Sequence, residues 1–485
     1  MLASACATAT RPASPALPAP SAPPALTALS RDLDAILAAP ALQHGYWGVV
    51  VRSLDNGETL YSVNARKLML PASSMKVVTL AAAAEKLGWD FRYDTTVYSA
   101  GAIENGILQG DLIVTGSGDP SLTIADGMAD RVFAEWTGAL KQHGIRAIAG
   151  RIVGDDNQFE DETLGFGWSW DDLPDDYAAG VGALQFNENA ARVTVAPGPA
   201  AGDSAAVAIA PPGTGLTLAN AVVTGPAGGA ASIATRRLPG TTTLELRGSI
   251  AAGAAPATLD VAVDNPTLFF VSSLRRALIA SGIDVRGEAM DIDAIHKPPH
   301  PPGAPLAAWK SPPLSELAVR LMKISQNQYA ETLLKTMSDG AVKSAAAGRT
   351  AALAILHGWG VQPAELIMRD GSGLTRYDFV SPEALVTILA HVYRDATLRG
   401  PFEASLPVAG RDGTVANRMK GTPAEGNARA KSGSMTGVRS LSGYVTSAGG
   451  EHLAFAIVAN NFETPPDVVN AATDAIVVKL ASWRR

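Results

Sequence analysis

The spacing of apolar and polar positions changes several times along the chain, and each change predicts an element. Residues 30–38 carry apolar positions at helical intervals and predict a short amphipathic helix. Two apolar runs, 47–54 and 58–63, flank Asp55-Asn56-Gly57, and Asn-Gly between such runs predicts a tight β-hairpin. After Pro71 a small polar triplet gives way to a nearly unbroken apolar run that ends at Leu87, just before Gly88. That pattern predicts a buried helix with Ser73 in its first turn. Past Tyr93 the texture becomes one of short strands, 95–99 and 111–115, with a helix at 129–143. Residues 188–262 alternate Val, Ala, Thr and Leu between Pro and Gly, as a nested β-rich subdomain would. A helix at 266–282 and a Pro-rich linker at 297–305 follow. The remainder predicts a helix from 314, broken near Ser325 and resuming over 329–337, then strands at 427–432, 440–446 and 452–460. The final helix, 466–482, has Val468, Val469, Ala472, Ile476, Val477 and Leu480 at helical spacing, a stripe that reads as core rather than as a membrane anchor.

Length and composition narrow the classes. A chain of 485 residues exceeds one ordinary core and predicts two to four domains at about 100–200 residues each. The net charge of -7 and the lack of any Lys/Arg stripe argue against a nucleic-acid partner. A single cysteine, Cys6, leaves no intrachain disulfide and no Cys-based metal site, and the seven histidines lack metal-ligand spacing. No cofactor is expected. No apolar run reaches the ~18–20 residues that span a bilayer, so membrane contact would be peripheral at most. Residues 1–28 read as the tail of a truncated signal sequence followed by a Pro/Ala/Ser/Thr-rich flexible leader. Ala3-Ser4-Ala5-Cys6 hints at a lipoprotein box, but Ala3 stands where Leu is usual, which weighs against lipidation.

Three short stretches carry candidate chemistry. In Ser73-Ser74-Met75-Lys76 the serine and lysine are three apart and share a helix face, within hydrogen-bond reach. A serine hydroxyl is a weak nucleophile until a base takes its proton, and a lysine desolvated among apolar neighbours can do so. Taken alone, S-x-x-K is common, and Ser73 could be merely a helix cap. Ser325-Gln326-Asn327 and Lys431-Ser432-Gly433 follow in the order of the S-x-x-K, S-x-N and K-T-G set, with Ser432 keeping the hydroxyl of the commoner Thr. Neither H-E-x-x-H nor G-x-S-x-G occurs.

With these motifs the chain, from about Ile36 to its end, resembles the D-alanyl-D-alanine carboxypeptidase/endopeptidases of the class C low-molecular-mass penicillin-binding proteins. Asp370-Gly371-Ser372-Gly373-Leu374-Thr375-Arg376, the stretch from Leu406 to Thr414, and Gly116-Ser117-Gly118-Asp119-Pro120 look like landmarks of that family. So does the long interval between the first two motifs. The resemblance implies an α/β (α+β) fold: a transpeptidase-like domain, an antiparallel sheet flanked by helices, with a large inserted domain. On this reading 29–92 and 297–485 form the catalytic domain, 93–187 and 263–296 the insertion, and 188–262 the nested β-rich subdomain.

The resemblance also assigns roles. Ser73 is the nucleophile and Lys76 its base, Ser325 relays a proton to the leaving amine beside Lys431, and Asn327 orders Lys76 and the substrate amide. The backbone N–H groups of Ser73 and Ser434 would form the oxyanion hole. Lys431 and Ser432 would receive the substrate carboxylate, and Gly433 would let the substrate backbone come close. A diaminopimelate-like side chain would meet Asp172, Tyr177, Leu374, Arg376 and Met435, with Trp168, Trp170 and Asp171 nearby, although a solvated acidic loop is the plainer reading of 168–177. The implied substrate is a peptidoglycan stem peptide, the covalent inhibitors β-lactams and the compartment the periplasm. A β-lactamase and a non-catalytic wall-binding protein are the rivals. The first lacks a deacylating glutamate motif here, and the second would have lost Ser73 or Lys76.

Overall fold

Residues 24–299 and 304–485 are described by a computed structural model. At its centre is a five-stranded antiparallel sheet in the order Thr59–Val63, Tyr46–Ser53, His452–Asn460, Val438–Thr446, Arg429–Met435. Alternate residues of a strand point to opposite faces, and here both faces are covered. Val50, Ala454, Ala456 and Val458 enter one core with the helices Met75–Leu87, Leu314–Lys323 and Pro382–Arg394. Val49, Val51, Phe455 and Ile457 enter a second core with Pro24–Leu37 and Pro466–Ser482. Burial on both sides explains why 453–459 is an unbroken apolar run rather than an alternating one.

The helix Met75–Leu87 runs through the first core, with every residue from Met75 to Ala84 buried. Its four consecutive alanines, Ala81 to Ala84, take up little room and let the surrounding helices close around it. One polar side chain of that helix, Lys76, is fully buried with the rest.

The long interval between the first two motifs builds a second layer system. A mixed sheet runs in the order Ala289–Asp291, Ile152–Asp155, Asp111–Gly116, Asp94–Ala100, Ala307–Lys310, with Met128–Gln142 and Pro266–Ala280 packed on one face. Between Ala190 and Ala262, two three-stranded sheets enclose a private core of Val193, Val195, Val222, Leu244, Leu246 and Ile250. Ala262 pairs with Ala190, so this unit leaves and re-enters the insertion at one place.

Four sequence expectations need correction. The first helix starts at Pro24, so residues 24–28 belong to it rather than to a leader; Trp483 Nε1 donates to Ala25 O at 3.3 Å and ties this turn to the C-terminus. Residues 307–310, expected in the catalytic domain, complete the insertion's sheet, because Ala307 and Trp309 alternate inward onto its core. The third-motif strand extends to Met435, which places Gly433, Ser434 and Met435 in the ladder. Helices Ala345–Gly358, Pro382–Arg394 and Ala396–Ser405 are additions to the expected elements. Residues 1–23, with Cys6, and 300–303 of the Pro-rich linker lie outside the described residues.

Candidate active site

The turn that presents Ser73 is a single 3₁₀ turn, Ala72–Ser74, leading into the helix Met75–Leu87. Ala72 sits at φ 46°, a left-handed conformation that costs a non-glycine residue about 1 kcal/mol or more and persists only where surroundings enforce it. The enforcement comes from the sheet. Ser440 Oγ donates to Pro71 O at 2.6 Å, and Ser74 Oγ lies 2.8 Å from Ser440 Oγ. With the Ser440 proton engaged on Pro71, Ser74 is the donor of the second bond.

Lys76 Nζ lies 2.9 Å from Ser73 Oγ, 2.6 Å from Asn327 Oδ1 and 2.8 Å from the Ser372 carbonyl. Burial is the larger influence on this amine and pushes its pKa down to about 7, against the opposing pull of Asp370 and Glu331. In the neutral form two N–H groups serve the two acceptors, the Asn327 and Ser372 oxygens, and the lone pair is left for the Ser73 hydroxyl. The Asn327 amide is itself oriented: its Nδ2 donates to Tyr177 O at 2.8 Å, which turns Oδ1 to the lysine. The insertion therefore reaches Lys76 through one side chain.

Ser325 stands in the break between the helices Leu314–Lys323 and Asn327–Thr336, at φ 65°. Its hydroxyl accepts from Lys431 Nζ at 2.9 Å, and Lys431 also donates to Ser432 O at 2.6 Å. Lys431 is fully buried; desolvation, then the neighbouring charge of Lys76, hold its pKa well below the ordinary lysine value.

A cleft of about 560 Å³ opens over these groups, lined by Ser73, Ser325, Asn327, Ser432, Ser434 and Met435. Asp172, Tyr177, Leu374 and Arg376 line it too, together with Thr414 and Arg418. All three motifs and the five side-chain candidates thus converge on one opening, which Lys76 and Lys431 do not themselves line. Ser432 Oγ donates to Thr414 Oγ1 at 2.6 Å, and Arg376 donates to Thr436 O at 3.2 Å. The Tyr177 hydroxyl lies 2.8 Å from both Asp172 Oδ1 and Asp175 Oδ2, so its one proton serves two carboxylates.

Some expected positions differ. Lys431 is fully buried and does not itself line the cleft, but both of its hydrogen-bond partners, Ser325 Oγ and Ser432 O, belong to residues that do. A Cβ on Gly433 would fall 2.3 Å from Ser440 Oγ, 2.6 Å from Pro71 O and 2.9 Å from Ser73 N. Gly433 therefore lets the 71–73 turn pack against the strand. Trp168 turns away from the cleft and donates from Nε1 to Asp370 Oδ2 at 3.0 Å. Trp170 and Asp171 line a separate hollow beside Arg236.

Glu331, Asp370, Ser74, Ser440, Thr414 and Arg418 were not singled out by sequence reasoning as site residues. Asp370 and Thr414 lie in landmark stretches, but no local pattern marks which residue of either matters. Asp370 accepts the N–H groups of Gly373 and Thr375, both at 2.7 Å, and shapes the loop whose Ser372 carbonyl meets Lys76.

Residues 29–483 match the model of the D-Ala-D-Ala carboxypeptidase 3 (S13) family. A D-alanyl-D-alanine carboxypeptidase of Actinomadura sp. (strain R39) is 38% identical over 473 residues, covering 94% of this chain and 85% of the relative. The D-alanyl-D-alanine carboxypeptidase DacB of Haemophilus influenzae is 29% identical, covering 86% of each. The crystal structure of penicillin binding protein 4 (dacB) from Haemophilus influenzae superposes with a TM-score of 0.81 at 27% identity, over 94% of this chain and 99% of that one. The antiparallel sheet flanked by helices, the large insertion and the match across nearly the whole length agree: this chain belongs to the D-Ala-D-Ala carboxypeptidase 3 (S13) family.

Proposed function

We propose that this chain is a serine-type D-Ala-D-Ala carboxypeptidase acting on peptidoglycan stem peptides, with Ser73 as nucleophile and Lys76 as its base. The observation that carries the assignment is the fully buried Lys76, its Nζ within 2.9 Å of Ser73 Oγ and its pKa lowered to about 7. A base of that pKa is half neutral near pH 7 and still basic enough to take a proton in the transition state.

In this reading Lys76 Nζ takes the Ser73 proton as Oγ bonds to the carbonyl carbon of the D-Ala-D-Ala peptide bond. The tetrahedral oxyanion is met by the backbone N–H groups of Ser73 and Ser434. The C–N bond then breaks, and the proton that Lys76 took passes through the Ser325 hydroxyl, which Lys431 supports, to the leaving nitrogen, so that Lys76 is neutral again to take a proton from the attacking water and return it to Ser73. Water attacks the resulting ester, and Ser73 recovers its proton. Ser432, Thr414 and Arg418 suit the terminal carboxylate; Asp172 suits a distal ammonium and Arg376 a distal carboxylate on the preceding side chain.

β-Lactams would be covalent inhibitors, since they present a strained amide and a carboxylate to the same groups. Penicillin binding protein 4 of Haemophilus influenzae has been solved with a β-lactam bound, at a TM-score of 0.74 and 25% identity to this chain. Peptidoglycan lies outside the cytoplasmic membrane, which makes the periplasm the proposed place of action. Among the described residues no helix is long and apolar enough to cross a membrane. The test is release of D-alanine from a peptide ending in D-Ala-D-Ala: the wild-type chain releases it and Ser73→Ala does not. Equal release by the folded Ser73→Ala variant would overturn the assignment.

A further inference from the structure

Glu331 lies one turn beyond Asn327, on the same helix and within the same face. It is 5% exposed, and its carboxylate accepts the N–H of Gly371 at 2.9 Å and the N–H of Ser372 at 2.8 Å. The backbone of Ser372 is thus held on both sides: its N–H by Glu331 and its carbonyl by Lys76. The helix Asn327–Thr336 holds the lysine twice, directly through Asn327 and indirectly through this loop.

We propose that Glu331 is a positioning residue for the acylation reaction: its buried carboxyl, anchored on the Gly371 and Ser372 N–H groups, holds the Ser372 carbonyl against Lys76. The proposal rests on the assignment of Lys76 as base. A purely structural glutamate would need only to fill space; one that fixes the Ser372 carbonyl also sets the hydrogen bonding, and so the titration, of the lysine.

The titratable groups facing Lys76 are Glu331 from its helix, Asp370 from the loop and Lys431 from the edge strand; Glu331 in turn faces Asp370 and Lys335. Burial raises the Glu331 carboxyl itself to about 8, so it is largely neutral where Lys76 titrates, and it acts on the lysine through the Ser372 carbonyl. Releasing that carbonyl takes an acceptor from the ammonium and lets the lysine lose its proton at lower pH.

The test is the pH dependence of Ser73 acylation by a simple penicillin in Glu331→Gln and Glu331→Asp, paired with a carbon-13 lysine NMR titration of Lys76, identified by its loss in Lys76→Arg. Glu331→Gln is expected to move the midpoint of both curves about one unit toward acid. It should also lower the plateau acylation rate tenfold or more, because the Gln NH2 puts a donor where Oε2 accepts the Gly371 N–H. Glu331→Asp keeps the carboxyl but draws it back from the 371–372 N–H groups, so its plateau falls as well. A Glu331→Gln midpoint that does not move overturns the proposal, whatever the plateau does. Should Glu331→Gln fail to fold, an unchanged plateau in Glu331→Asp overturns it. Failure of the catalytic assignment is distinguishable, because it removes acylation at Ser73 in the wild-type chain and leaves the NMR midpoints to decide the role of Glu331.

Discussion

The account depends most on a lysine that burial has made a base at neutral pH. With a pKa lowered to about 7, the neutral fraction of Lys76 rises as pH rises through that value. The acylation rate of the wild-type chain should therefore climb between roughly pH 6 and pH 8 and then level. Stopped-flow acylation across that range checks this; a rate falling over the interval would assign the base elsewhere. Gly433 is the second residue on which the site turns. In Gly433→Ala the new methyl must displace Ser440 Oγ, Pro71 O or Ser73 N, two of them backbone atoms of the nucleophile turn. The expected outcome is a loss of about a hundredfold in acylation rate with the secondary structure retained, measured by penicillin labelling beside circular dichroism. Sequence reasoning marks Gly433 for the absence of a Cβ but does not show the 71–73 turn as a neighbour. A glycine's spacing in a motif does not reveal which face its missing side chain would occupy.

Among the elements, the loop 168–177 is the one proposed to select the substrate side chain. Asp172 lines the cleft and shares the Tyr177 hydroxyl with Asp175. Hydrogen bonds to charged groups contribute ~1.5–3 kcal/mol, so Asp172→Asn should lower kcat/KM tenfold to a hundredfold for peptides bearing a distal ammonium. Peptides with that group acetylated should barely respond, and equal losses for both would make Asp172 structural. The elements were legible where one period persisted: the hairpin, the Ser73 helix and the final helix lie within a residue or two of expectation. The strand Ala307–Lys310 was missed because four residues beside a Pro-rich stretch carry too little pattern. Its alternation acquires meaning only beside Asp94–Ala100, more than 200 positions earlier in the chain. The same holds for Glu331, an ordinary helical glutamate until the 370–375 loop folds over it.

Across the whole molecule, the insertion acts on the site as well as covering it. Tyr177 O orients Asn327, Trp168 Nε1 meets Asp370, and Gln185 Nε2 reaches Thr332 Oγ1 at 3.0 Å. The nested β-rich unit supports that contact segment: Arg237 donates to Leu173 O at 2.7 Å, and Ala262 N donates to Pro174 O at 3.0 Å. Because Ala190 and Ala262 are ladder partners and the unit has its own core, a short turn can replace residues 191–261. That deletion should relax discrimination between charged and acetylated side chains several-fold while reducing penicillin acylation less. Parallel kinetics on both substrates would check it, and equal reduction would tie the nested unit to chemistry rather than to recognition. Neither contact path was legible beforehand, since composition marked the nested unit as β-rich without saying what it leans on.

The most direct measurement is the site and pH dependence of a covalent penicillin adduct. The chain is incubated with a fluorescent penicillin and digested, and the labelled peptide is sequenced by mass spectrometry, with Lys76→Ala in parallel. The account predicts one adduct, on Ser73, forming faster as pH rises through about 7, and a loss of several orders of magnitude in the Lys76→Ala variant. An adduct on any other residue, or full labelling of Ser73 without Lys76, would contradict it.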